Sequence, residues 1–157
     1  MVDGSTLVSL MGLQFDSPEI ANALAQLRFA GKLAREKGDP EAYATCADAG
    51  VELLFHDQAY VEGKKKRSYG EGPFILTSVF FFDGSDGEHA RYAGELPGGI
   101  RFAMSLEDVT ALLGAPEWRN EAVNRYRWPL GKLKLILRSS DDRRSFDECS
   151  VQTPLNR

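Results

Sequence analysis

Residues equipped for catalysis are scarce in this chain. His56 and His89 are its only histidines, so a triad or a metal centre has little to draw on. Neither stands in an HExxH or HxH pattern or at ligand spacing from a cysteine. No Gly-x-Ser-x-Gly elbow is present to present a nucleophilic serine. His56 falls in an alternating strand-like stretch and His89 in a glycine-rich acidic turn, so the expectation is a strand-end histidine and a solvated turn histidine. The acidic tract from Asp83 to Glu88 offers clustered oxygen ligands but misses the spacing of a calcium loop. Counted from Asp83, position 5 is Gly87, position 6 is Glu88 and position 12 is Gly94. The glycines from Gly94 to Gly99 do not form GxGxxG and read as a tight turn rather than a phosphate cradle. The inventory therefore points to no catalytic residue, no metal and no cofactor.

Aromatic and basic side chains carry more information. Phe74, Phe80, Phe81 and Phe82 put large apolar groups on both faces of one strand, because strand side chains alternate. Arg125-Tyr126-Arg127-Trp128 alternates in a different way, with two arginines on one face and two aromatics on the other. Arg, Tyr and Trp are the types enriched where proteins bind one another. Trp118 falls in the loop expected after a helix, where a large aromatic has less structural reason to be. Arg125, Arg127, Trp118, Tyr92 and Phe82 are therefore the candidate partner-binding residues. The dense basic run Lys64-Lys65-Lys66-Arg67 reads as a solvated hairpin tip.

Composition bounds the function class. The chain carries 19 Lys and Arg against 23 Asp and Glu, with 43% hydrophobic and 27% charged residues. That excludes a disordered tail and, lacking a basic face, argues against generic nucleic-acid binding. Its 157 residues suit one domain, whose size buries roughly two-thirds of the unfolded surface without a metal or disulfide staple. Cys46 and Cys149 are too few for a disulfide framework and read as small buried groups. The first eleven residues lack a basic segment and carry Asp3, unlike a signal peptide, and nowhere do about 18 apolar residues run together. The expected compartment is the cytoplasm, with no membrane association.

The elements that must position these residues appear to the eye in duplicate. Gly12-Leu13-Gln14-Phe15-Asp16-Ser17 leads into a helical pattern with Ile20, Ala23, Leu24 and Leu27, expected to run to about Lys37. Gly99-Ile100-Arg101-Phe102-Ala103-Met104-Ser105 leads into another, with Val109, Leu112 and Leu113. Ser17 with Pro18, and Ser105 with Asp108, supply the starts; Gly114 and Pro116 stop the second helix. Strand candidates follow each helix: Glu41–Cys46, residues 51–56 and Phe74–Phe82, then residues 123–128, 133–137 and Phe146–Gln152. The expectation is an α+β fold, a single domain over 1–157 built from two repeats at about 12–82 and 99–152. Each repeat is a helix followed by an antiparallel three-stranded hairpin unit, with the helices on one face of the sheet. Phe15, Ile20, Leu24, Leu27, Phe102, Val109, Leu112 and Leu113 are the expected core.

The segment Met104-Ser105-Leu106-Glu107-Asp108-Val109-Thr110-Ala111-Leu112-Leu113-Gly114-Ala115-Pro116 resembles the opening of the helix-plus-sheet units of the β-lactamase inhibitor protein fold. With Ser78-Val79-Phe80-Phe81-Phe82 and the stretch from Tyr92 to Ile100, the chain is also similar to small bacterial immunity-like proteins encoded beside toxins. The resemblance spans residues 12–151, and residues 92–116 carry its motif. It implies a non-enzymatic protein-binding inhibitor, a cytoplasmic immunity protein whose partner is a toxin. An assembly or adaptor module with another protein partner, and a small-ligand carrier, are the alternatives.

Overall fold

The computed structural model describes residues 1–33, 38–70 and 72–155. A short helix, α1 (Gly4–Ser9), precedes α2 (Pro18–Gln26), where the Ser17 hydroxyl accepts the Ile20 N–H and Pro18 takes the first helical position. α2 stops at Gln26, not near Lys37, which lies outside the described residues. The stop is a Schellman turn: Arg28 adopts φ +58°, its N–H bonds the Ala25 carbonyl, and the Phe29 N–H bonds the Leu24 carbonyl. Glycine, the usual residue at that place, is missing, so the sequence hides the stop.

Strands β1 (Glu41–Cys46) and β2 (Val51–Asp57) are joined through a turn closed by Gly50 at φ +72°. A Cβ on Gly50 would collide with the Ala90 carbonyl and the Tyr92 nitrogen, so this turn needs glycine twice over. After α3 (Gln58–Val61) comes β3 (Phe74–Phe82). α4 (Leu106–Leu113) opens on a complete capping box, Ser105 with Asp108, and closes at Gly114 with φ +88°. The chain ends in β4 (Trp118–Asn120), β5 (Arg125–Leu130), β6 (Leu133–Ser139) and β7 (Phe146–Gln152).

The fold is α+β. All strands pair antiparallel in one sheet of order β1-β2-β3-β7-β6-β5-β4. This corrects the expectation of two three-stranded units: β3 pairs with β7 to make the sheet continuous, and the second half contributes four strands. The additional strand, β4, is three residues long, too short to show any alternation in sequence.

Alternation along the strands gives the sheet two unlike faces. One bears Val51, Leu53, Phe55, Leu76, Val79, Phe81, Tyr126, Trp128, Leu135, Leu137, Cys149 and Val151, all buried. These cluster with Leu7, Ile20, Leu24 and Val109 from the helices, so the helices cover this face. Trp128 also donates Nε1–H to the Gly114 carbonyl at 2.9 Å, pinning the end of α4 to β5. Ile20, Leu24, Leu27, Phe102 and Val109 are in the core as expected, and Phe15 and Leu113 are half-buried against it. Leu112 is the exception: α4 turns it outward, and it is 50% exposed.

This placement sets a ranking. Phe81→Ala should destabilise the protein by about 3–5 kcal/mol, as large-to-small changes in packed cores do. Leu112→Ala should stay within about 0.5 kcal/mol of the parent in urea denaturation, the usual range for an exposed side chain. The reverse order would contradict the facing of α4.

Candidate protein-binding face

The second face of the sheet carries a register row that crosses every strand. From β4 to β1 it reads Trp118, Arg127, Ile136, Ser150, Phe80, Glu52 and Thr45, each the cross-strand partner of the next. A neighbouring row runs Pro129, Lys134, Gln152, Ser78, Leu54 and Tyr43. Along the first row, apolar groups thus alternate with charged and hydroxyl groups as far as Glu52.

Loops rise at both ends of β2 and β3 to bound this surface. At one end, a register shift between Leu54 and Phe55 lets Thr77 join the face beside Ser78. The Thr77 hydroxyl donates to the Leu54 carbonyl at 3.2 Å and lies 2.5 Å from His56 Nδ1. His56 Nε2 stands 3.3 Å from Glu41, and Tyr60 of α3 stacks on the imidazole with centroids 4.9 Å apart. Both His56 and Thr77 are buried, which seals this pair from a substrate. Asp57 organises the adjoining loop: it caps Ala59 at 2.9 Å and accepts the Gly70 N–H at 2.5 Å. The exposed residues 64–67 therefore ride on a loop with a buried anchor.

At the other end, His89 lies flat on Phe82, with ring centroids 3.7 Å apart. Its side chain is only 9% exposed, which corrects the expectation of a solvated turn histidine. Nδ1 is 2.6 Å from Asp86, and Nε2 is 3.7 Å from Glu52. Asp86 also accepts the N–H groups of Glu88 and His89, both at 2.9 Å. These bonds, the His89 N–H first among them, hold the Asp86 carboxyl down at about 2. Asp86, Glu88 and His89 are close enough to share a cation, but Asp86 is already engaged in shaping the turn.

Of the five candidate residues, the fold gathers three. Trp118 is 39% exposed, and the Arg127 guanidinium stands over its ring, 5.4 Å from the centroid. Arg127 Nε is enclosed 3.4 Å from Glu117, without hydrogen-bond alignment. Lys134 holds the same Glu117 at 2.7 Å and, as the leading cause, lowers its pKa. Arg125 lies on the same face, 3.9 Å from Glu148.

Tyr92 and Phe82 are corrections. Tyr92 is buried on the helix side against Phe81; its hydroxyl donates to the Val2 carbonyl, and burial pushes its pKa up to about 12. Phe82 does face the open side but is covered by His89. Sequence reading missed Ile136, Phe80 and Tyr43 as members of the face. Their signal was the alternation itself, which gives a residue its side but not its cross-strand neighbours.

A scan against models of protein families finds no match, and no curated protein matches either. Solved structures do. An extracellular SCP-domain protein from Bacillus anthracis aligns at TM-score 0.58 and 9% identity over 98% of this chain and 47% of its own. A cysteine-rich secretory protein from Staphylococcus aureus aligns at TM-score 0.57 and 8% identity, over 92% and 44% respectively. The chain therefore spans about half the length of these two proteins, and at such identities the likeness is one of fold.

Two measurements check the local chemistry. Burial, with Glu52 nearby, raises the Cys46 thiol to about 11, and complete burial drives Cys149 higher still. Both should resist a thiol reagent at pH 8 in the native protein and react once it is unfolded. Because the Asp86 pKa is lowered in the folded state, its stabilising contribution is complete above its ordinary value of 3.8 and lost as pH falls through about 2. Asp86→Asn should remove that part of the acid-unfolding profile, which NMR titration of the carboxyl would show directly.

Proposed function

We propose that this chain is a non-enzymatic, protein-binding inhibitor that meets its partner with the open face of the sheet. One observation carries the reading: Trp118, Arg127, Ile136 and Phe80 share a register row on the face opposite the core helices. Aromatic and guanidinium groups on a flat surface suit a protein partner. A small-ligand carrier needs an enclosing apolar cavity. Two grooves, of about 610 and 720 Å³, lie instead beside α2 and along residues 91–103.

In its finer form, the proposal is an immunity protein that neutralises a bacterial toxin in the cytoplasm. It draws on the resemblance carried by residues 92–116. The buried thiols Cys46 and Cys149, neither in a disulfide, suit a reducing compartment. An adaptor with a different protein partner would use the same face.

Co-expression with the product of the neighbouring upstream gene tests this. Rescue of growth and co-purification are expected. Trp118→Ala and Arg127→Ala should each weaken the complex by about 1–2 kcal/mol, the scale of interface anchors. Tyr92→Ala should instead lower stability. If no neighbouring product is toxic and none co-purifies, the immunity reading fails. If a complex survives Arg125→Ala, Arg127→Ala and Trp118→Ala together, the binding face has been misassigned.

A further inference from the structure

We propose that the outer edge of β4 takes up an extended segment of the partner protein as an added strand, and that this segment alternates acidic with apolar residues. The inference deepens the protein-binding reading and rests on it. β4 is the last strand of the sheet, so its outer edge has no strand partner among the described residues. All three of its residues are exposed. In an antiparallel ladder, alternate residues of such a strand turn their N–H and C=O groups outward, ready to pair.

The two sides of this edge differ, and the difference selects the guest. On the open side stands Trp118, paired with Arg127 and followed in register by Ile136. On the helix side, Arg119 joins Arg143 and Arg144 around a pocket of about 480 Å³, floored by α4. Arg143 is placed there by its backbone: it holds φ +60°, its N–H bonds the Ser140 carbonyl, and its own carbonyl accepts the Leu106 N–H. The pocket contains one carboxylate, Glu107, and a second, Glu121, sits 3.9 Å from both Arg119 and Arg143. At that distance, and exposed, Glu121 is a weak resident that an incoming carboxylate can displace.

An added strand would point alternate side chains to opposite faces. Acidic residues would reach the three arginines while the apolar residues between them lie against Trp118. The charge distribution favours such a guest over a basic one. At the edge itself, Arg119, Arg143 and Arg144 outnumber the two carboxylates beside them, Glu107 and Glu121.

The probe is a ten-residue synthetic peptide alternating Val and Glu, titrated into the ¹⁵N-labelled full chain and followed by NMR. Saturable shifts should appear at residues 117–120 and at the Arg119 and Arg143 side chains. Arg119→Gln with Arg143→Gln should weaken binding at least tenfold, and Glu121→Gln should strengthen it. A Val–Lys peptide should not bind. The proposal is overturned by any of three results: no saturable shift at millimolar peptide, shifts centred on Phe80 and Ile136 with β4 unmoved, or equal binding of inorganic phosphate or a mixed oligonucleotide at the same arginines. A partner that co-purifies regardless of the Arg119→Gln, Arg143→Gln change would remove this edge yet leave the protein-binding reading intact. Failure to find any partner would remove that reading while the peptide result stood by itself.

Discussion

Everything in this molecule hangs on the pairing of β3 with β7. Phe82, Phe81, Phe80, Val79 and Ser78 face Glu148, Cys149, Ser150, Val151 and Gln152 across one ladder, and no other ladder joins the two halves of the sheet. Its inward members, Val79, Phe81, Cys149 and Val151, are all buried at the centre of the core. Among its outward members, half-buried Phe80 and buried Ser150 stand in the middle of the row that crosses the second face. A slip of one residue would exchange the two sets, placing serine in the core and cysteine and valine on the surface. The register that builds the core thereby also decides which side chains stand on the second face.

Burial on one side leaves the other to meet solvent. Seven strands with helices over a single face leave a broad surface that still needs its outward side chains to be compatible with water. The chain meets this by flanking large groups with polar ones: Trp118 beside Arg127, Phe82 beneath His89, Ile136 between Arg127 and Ser150.

Much of the fold was legible because its cues are local. The boundaries of β1, β3 and β7, the capping box at Ser105 and Asp108 and the stop at Gly114 rest on short-range periodicity and turn chemistry. What was missed depends on contacts distant in sequence or on unusual local conformations. α2 ends early through a left-handed arginine where glycine is the usual sign. Tyr92 has the composition of an interface residue, but the Val2 carbonyl, ninety positions away, draws its hydroxyl inside. His89 looked solvated until Phe82 supplied a ring to lie on. Arg125 and Arg127 were placed correctly because alternation alone decides a strand residue's side. Ile136 and Phe80 were not found because only the ladder reveals who stands next to whom.

The same β3–β7 ladder has a temporal side. Its partners are separated by some 70 positions, so the contact that unifies the sheet is closed late and at a high entropic cost, a topology associated with slow folding. Until β7 arrives, β3 is a nine-residue edge strand with three consecutive phenylalanines and both a wet and a greasy side unmatched. During synthesis that interval lasts while more than sixty further residues are made, at about 5–20 residues per second. The half-built sheet is thus a transient template for strand exchange between nascent copies. Where the Ser140–Ser145 turn slows or weakens, misassembly of neighbouring chains, rather than loss of native stability, is the failure to be expected.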